Sequence, residues 1–166
     1  SEWFRTAHHC LPKSEILSYE EIQKFVLACK PLGLRKVRIT GGEPLLRKDL
    51  PKVVRYISDL GLEVALTTNG SFLKREAARL AEAGLDRVTI SLDAVDQELH
   101  SRITDSNVTV ADILDGIHEA ISRGLGPVKV NCVVHRGVNE SQIPKLVRPI
   151  SGTGAIVRDS APMALG

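Results

Sequence analysis

The sequence predicts an α/β fold built on a parallel sheet of about five strands. Segments whose apolar residues recur with a helical period alternate with short segments in strand-like alternation, in the order α-β-α-β-α-β-α-β-α-β. The connections between these segments are short, as is typical of helical crossovers between parallel strands. Five strands are too few to close an eight-stranded barrel. The predicted elements are therefore compatible with both a doubly wound sheet and an open, incomplete barrel.

The predicted elements follow one another from Ser18 onward. Ser18 and Glu21 form a capping box that starts the first helix, and this helix ends near Pro31 and Gly33. The apolar faces of the predicted helices comprise Ile22, Phe25, Val26 and Cys29; Leu50, Val53, Val54 and Ile57; a face within 72–83; Ile113, Leu114, Ile117 and Ile121; and Ile143, Leu146, Val147 and Ile150. The strands between them are predicted at 37–39, 63–67, 87–92, 128–134 and 155–158.

Composition narrows the class of protein. The 166 residues are 43% hydrophobic and 25% charged, which is typical of one globular domain, and we expect a single domain over 1–166 with a variable segment at 1–16. The net charge of +2 is too small to attract nucleic acid or an acidic membrane through bulk charge. No apolar run approaches the ~20 residues of a membrane span, and no signal peptide is visible, so we expect a cytoplasmic protein.

Small polar residues follow the predicted strands. The four strand ends carry Thr40-Gly41-Gly42-Glu43-Pro44, Thr67-Thr68-Asn69-Gly70, Ser91-Leu92-Asp93 and 131–136. Ligands of parallel α/β proteins bind at this edge of the sheet, where glycines allow close approach and a carboxylate suits an ammonium group. Each motif taken alone is also compatible with an ordinary turn.

In combination, these motifs resemble the radical SAM superfamily and, within it, the GTP 3′,8-cyclases of molybdenum-cofactor biosynthesis. The resemblance covers about 11–157. It is carried by 17–22, Val37-Arg38-Ile39-Thr40-Gly41-Gly42-Glu43-Pro44-Leu45-Leu46-Arg47, Leu66-Thr67-Thr68-Asn69-Gly70, 83–88, Ile90-Ser91-Leu92-Asp93-Ala94 and 127–134. It implies an α/β fold of the incomplete (β/α)6 TIM-like barrel type, here with about five parallel strands and outer helices.

The resemblance also implies ligands and the residues that hold them. Its cofactors are S-adenosylmethionine and a [4Fe–4S] cluster, and its substrate is GTP, so small nucleotides are the expected partners. The residues that match cofactor-binding positions are Gly42, Glu43, Ser91, Asn131 and Met163. Arg38, Thr67 and Lys129 match positions that face GTP, where two cations suit a triphosphate.

The sequence departs from the family at the cluster. Radical SAM enzymes hold it with a Cys-x3-Cys-x2-Cys loop, whereas Cys10, Cys29 and Cys132 are widely scattered here. Either Cys10 matches the last ligand, with Trp3 and Ala7 in place of the others, or the loop is absent, which we prefer. We expect no cluster in this chain. Its function is then that of a cyclase core, inactive alone; the alternative is a degenerate or engineered scaffold that keeps only the fold.

We also expect a homo-oligomer. The resemblance implies a strand before 37–40 that is missing here, so we expect the strand at 37–40 to lack a neighbour on one side and the inner face of the open barrel to be uncovered and apolar. A second copy, or the segment carrying Trp3 and Phe4, would cover this edge. A monodisperse monomer in light scattering at tens of micromolar, with Trp3 fluorescence of a fully solvated indole, would argue against this expectation.

Overall fold

The sheet contains five parallel strands in the unbroken spatial order β1-β2-β3-β4-β5. This computed structural model describes residues 16–160. The strands are β1 Lys36–Ile39, β2 Glu63–Thr68, β3 Arg87–Ser91, β4 Lys129–Val133 and β5 Ile156–Ser160. The helices are α1 Tyr19–Cys29, α2 Leu50–Asp59, α3 Leu73–Glu82, α4 Gln97–Thr104, α5 Val110–Ser122 and α6 Ile143–Ile150. Short 3-10 turns lie at Lys30–Leu32, Pro44–Leu46 and Glu140–Gln142.

The strand order decides between the two predicted architectures. A doubly wound sheet reverses its strand order and carries helices on both faces. Here successive strands are neighbours throughout the sheet, so right-handed crossovers place the helices on one face. The fold is therefore the incomplete TIM-like barrel, and the prediction of about five parallel strands with outer helices is confirmed.

The two faces of the sheet differ in chemistry because side chains alternate along each strand. The outer face packs against the helices in the core through buried residues: Val64, Leu66, Val88, Ile90, Val130 and Cys132. The register places the other set together on what we call the inner face: Lys36, Arg38, Glu63, Ala65, Thr67, Arg87, Thr89, Ser91, Lys129, Asn131, Ile156 and Arg158. The expectation of an apolar inner face is wrong, since charged and hydroxyl side chains dominate it. The oligomer itself stays a prediction.

Ion pairs connect the amino-terminal ends of the first three strands. Glu63 lies between Lys36 and Arg87, at 2.7 Å from Lys36 Nζ and 2.5 Å from Arg87 Nη2. The hydrogen bond from Lys36, followed by that from Arg87, holds the pKa of Glu63 below its usual range. These charges satisfy one another at the end of the barrel away from the glycine-rich turn.

The first helix is capped as predicted, and two helical details differ from prediction. Ser18 and Glu21 form the reciprocal capping box of α1. Phe25 and Val147, expected on apolar faces, are 66% and 43% exposed. Helix α4 has no counterpart among the predicted elements. Its one buried residue is His100. The helix predictions depend on the spacing of apolar residues, and a polar buried residue does not contribute to that spacing.

Candidate functional site

Two rows of side chains cross the inner face of the sheet. In one row Thr67 pairs with Thr89, and Thr89 with Lys129. In the next row Ser91 pairs with Asn131, and Asn131 with Arg158. The structure therefore brings together four residues singled out from the sequence: Thr67, Lys129, Ser91 and Asn131. Sequence reasoning missed Thr89 and Arg158, although a period of two along their strands points to the same face.

Arg38 reaches from β1 toward the first of these rows. Its Nη1 donates hydrogen bonds to Thr67 Oγ1 at 3.0 Å and to Thr89 Oγ1 at 3.2 Å. Thr89 is only 6% exposed, whereas Arg38 is exposed. Two neighbouring strands thus orient one guanidinium, whose other N–H groups are available to an anion.

The carboxylate of Glu43 ties the turn after β1 to the turn after β2. Its Oε1 accepts hydrogen bonds from Leu45 N at 3.0 Å and from Thr68 Oγ1 at 2.7 Å, and its Oε2 accepts one from Asn69 N at 2.8 Å. Thr68 Oγ1 in turn accepts from Gly70 N at 3.0 Å. A carboxylate offers about four acceptor positions, so three bonds within the protein leave one for a ligand. Most of the hydrogen-bonding capacity of Glu43 is therefore used to connect the two turns, and one acceptor position remains for a ligand.

The glycine pair before Glu43 lies open. Gly41 has φ +149°, a backbone conformation that residues other than glycine rarely adopt. At Gly42 the φ angle lies outside the left-handed region, and among residues 16–160 a Cβ added there would meet no atom within 4 Å. Neither the backbone nor a neighbour within 16–160 therefore requires glycine at position 42. The described residues leave this backbone open to the approach of a ligand.

Ser91, the last residue of β3, lies beside Asn131, the third residue of β4. Leu92 N donates to Asn131 O at 2.9 Å, which extends the pairing by one residue. Beyond it, Asp93 Oδ1 accepts from Val133 N at 2.7 Å. Burial raises the pKa of Asp93, and the hydrogen bond from Val133 N and the nearby His135 and His100 oppose this rise.

The cysteines of the described chain do not fit an iron–sulfur cluster. Cys132 lies on the outer face, is fully buried, and directs its Sγ at Asp93 O, 3.6 Å away. Burial, with a further contribution from Asp93, raises the pKa of this thiol to about 11, so it is a poor source of thiolate. Cys29 lies at the end of α1. Within residues 16–160 no three His, Cys, Asp or Glu side chains are grouped as they would be around a metal ion. Cys10 and Met163 lie outside the described residues.

His100 predicts a pH-dependent stability. It is 3% exposed, and its Nδ1 has no hydrogen-bond partner in the described structure. Burial lowers its pKa, and only the nearby Asp93 charge opposes this effect. The unfolded chain therefore takes up the proton first as the pH falls below the ordinary value of 6.5, and folding loses free energy from that pH downward.

We expect the free energy of unfolding in urea to be lower at pH 5.5 than at pH 7.5, and His100→Gln to reduce that difference. The carboxylates with lowered pKa, Glu21, Asp49, Glu63 and Asp115, lose their stabilising charge only below ordinary values of 3.8 to 4.5, outside this window. His118 is exposed on α5, and His118→Gln is the matched control. An equal response from the two variants would contradict the role of His100.

The fold and the site together define a class: incomplete parallel barrels with a Gly-Gly-Glu-Pro turn at the ligand-binding edge. The comparison with known proteins agrees, because the sequence model of the radical SAM superfamily matches residues 4–150. The chain belongs to the radical SAM superfamily.

Two curated relatives carry the same name. The chain is 45% identical over 150 residues to the GTP 3′,8-cyclase of Acidothermus cellulolyticus, which covers 89% of the chain and 41% of the relative. It is 44% identical over 140 residues to the GTP 3′,8-cyclase of Staphylococcus carnosus, covering 83% of the chain and 41% of that relative. The chain therefore spans about two-fifths of the length of these relatives.

Solved structures support the fold. Streptococcus suis SuiB bound to S-adenosylmethionine superposes with a TM-score of 0.73 at 19% identity, over 90% of this chain and 35% of that one. Methylornithine synthase (PylB) superposes with a TM-score of 0.67 at 19% identity, over 89% and 44%. At these identities the likeness concerns the fold alone. In residues 16–160, no helix has the length and apolar character needed to cross a bilayer.

Proposed function

We propose that this chain is the barrel core of a GTP 3′,8-cyclase, the enzyme that converts GTP to the cyclic pyranopterin precursor of the molybdenum cofactor. The observation that carries the proposal is the pair of polar rows on the inner face, beside a glycine-rich turn that leaves its backbone open. The identity of 45% to a GTP 3′,8-cyclase supports it, within the two-fifths of the relative that the chain covers.

GTP is the ligand for which the inner face offers the right charges. Arg38, Lys129 and Arg158 are cations on one face, and a triphosphate gains strong charge-assisted hydrogen bonds from such groups. Thr67 and Thr89 fix the direction of the Arg38 guanidinium before a ligand arrives. Preorganisation of this kind reduces the entropy lost on binding.

S-adenosylmethionine is the ligand proposed for the carboxyl edge. Its ammonium group suits the open backbone at Gly42 and the remaining acceptor position of Glu43, while Ser91 and Asn131 offer small hydrogen-bonding groups. The residues of this chain bind and orient these ligands. No catalytic step is assigned to them, because the cysteines described above do not fit the cluster on which reductive cleavage of the cofactor depends.

The GTP proposal predicts a graded loss of affinity in calorimetry. Lys129→Ala should weaken GTP binding by about tenfold or more, since a hydrogen bond to a charged group contributes roughly 1.5–3 kcal/mol. Lys145→Ala removes an exposed cation from α6, outside the inner face, and should leave the affinity within about twofold.

Raised salt should weaken binding to the wild-type chain more than binding to Lys129→Ala. Equal losses of GTP affinity in Lys129→Ala and Lys145→Ala would indicate nonspecific attraction and contradict the proposed site. No saturable binding of either ligand to the wild-type chain would favour a scaffold that keeps only the fold.

A further inference from the structure

Asn139 is a buried polar residue to which the proposed function assigns no role. It lies in the connection between β4 and α6 and is 0% exposed. The fully buried position of an amide requires that its hydrogen-bonding groups be satisfied within the protein, because an unpaired one costs roughly 1–3 kcal/mol.

Its side chain satisfies this requirement by joining two strand ends. Asn139 Nδ2 donates to Asp93 O at 2.8 Å and to Val133 O at 2.9 Å, while Oδ1 accepts from His135 N at 2.7 Å. Asp93 reciprocates across the same gap by accepting from Val133 N at 2.7 Å. The segment after β3 and the carboxyl end of β4 are therefore held together by one amide and one carboxylate.

Only an amide of this length fits the arrangement. Two carbonyl oxygens require two donors on the same side chain, and the His135 N–H requires an acceptor. An aspartate at position 139 would direct oxygen lone pairs at two carbonyl oxygens, and an alanine would remove the hydrogen bonds to Asp93 O, Val133 O and His135 N. The geometry thus selects asparagine through its donor and acceptor pattern rather than its size.

The residues joined by Asn139 stand in a simple relation to the proposed ligand contacts. Ser91 is two residues before Asp93, and Asn131 is two residues before Val133. Ser91 and Asn131 are themselves partners in the register of the sheet. A change in the spacing of Asp93 and Val133 is therefore transmitted over one short step to Ser91 and Asn131.

We propose that Asn139 is a positioning residue for the cofactor end of the site: it sets the separation of Ser91 and Asn131 without touching the ligand. The inference rests on the proposed function in that S-adenosylmethionine is taken as the ligand there. It adds a residue that supports the ligand contacts from behind the sheet edge.

The first test compares the affinity of the 166-residue chain for S-adenosylmethionine in matched variants. Asn139→Ala should weaken binding by about tenfold. Leu85→Ala is the control, because Leu85 is 5% exposed near the opposite ends of the strands and its truncation also costs a few kcal/mol of folding. Its affinity should stay within about twofold of wild type. Equal losses in both variants would show that lowered stability alone explains the effect.

A double-mutant cycle with Ser91→Ala separates positioning from an independent effect. If Asn139 acts through Ser91, the double variant should bind S-adenosylmethionine little worse than the single variant with the lower affinity. A loss of affinity in the double variant equal to the product of the two single losses would overturn the proposal. Asn139→Ser, which retains one donor, serves the same cycle if the alanine variant does not fold, and its loss of affinity should likewise not multiply with that of Ser91→Ala.

Amide hydrogen exchange without ligand keeps the two proposals apart. The quantity measured is the exchange rate at Leu92 N, which is bonded to Asn131 O, divided by the exchange rate at Leu66 N. We expect this ratio to be at least tenfold higher in Asn139→Ala than in Leu85→Ala. If the wild-type chain binds no S-adenosylmethionine, the proposed function fails, and this exchange still decides whether Asn139 sets the strand ends. The same ratio in both variants would overturn the positioning role.

Discussion

Replacement of Glu43 by alanine is expected to lower the free energy of unfolding by about 2–4 kcal/mol, because three groups lose a charged acceptor at once. These are Leu45 N, Thr68 Oγ1 and Asn69 N, which belong to the turns after β1 and β2. For a domain of this size such a change corresponds to a thermal midpoint roughly 10 °C lower. Thermal unfolding followed by circular dichroism measures it.

Two further variants sharpen the interpretation. Glu43→Gln keeps one acceptor oxygen and should fall between wild type and the alanine variant. Glu82→Ala removes an exposed carboxylate from the last residue of α3 and should change stability by less than about 0.5 kcal/mol. An unchanged midpoint for Glu43→Ala, combined with weaker S-adenosylmethionine binding, would mean that Glu43 contacts ligand and does not clamp the turns.

Anaerobic reconstitution with iron and sulfide is expected to leave this chain without a stable [4Fe–4S] cluster. A radical SAM cluster needs three cysteine thiolates, and the whole sequence contains three cysteines. One of them, Cys132, is buried with a pKa of about 11. The chain should therefore also release no 5′-deoxyadenosine from S-adenosylmethionine under reducing conditions.

Iron and acid-labile sulfide analysis measures this outcome directly. Cys10→Ala is the matched variant, and it should give the same background iron content as wild type. About four irons per wild-type chain with broad cubane absorption, reduced in Cys10→Ala, would refute the expectation and identify Cys10 as a ligand.

Much of the fold was predictable because the two faces of the sheet are chemically distinct. Along β3, Val88 and Ile90 on the outer face alternate with Arg87, Thr89 and Ser91 on the inner face, and this kind of contrast indicates a strand; Ala65 and Thr68 depart from it in β2. Two features did not follow from the pattern. The single buried residue of α4, His100, is polar, and Phe25 shares the helical spacing of buried residues yet is exposed.

The candidate site was predictable only where it depends on strand ends. Parallel strands place their carboxyl ends at one edge, so Thr67, Ser91 and Asn131 could be grouped from sequence alone. The clamp made by Glu43 depends on partners 25 and 26 residues away, which no local spacing reveals. Asn139 reaches Asp93 across 46 residues, and its role required the three-dimensional structure.

The most direct test of the central claim is a two-dimensional amide NMR titration of the chain with S-adenosylmethionine. The account predicts saturable shifts concentrated at Gly41, Gly42, Ser91, Leu92 and Asn131, with helix α2 on the outer face unaffected. Shifts concentrated on α2 and α3, or none that saturate, would contradict a ligand site at the carboxyl ends of these strands.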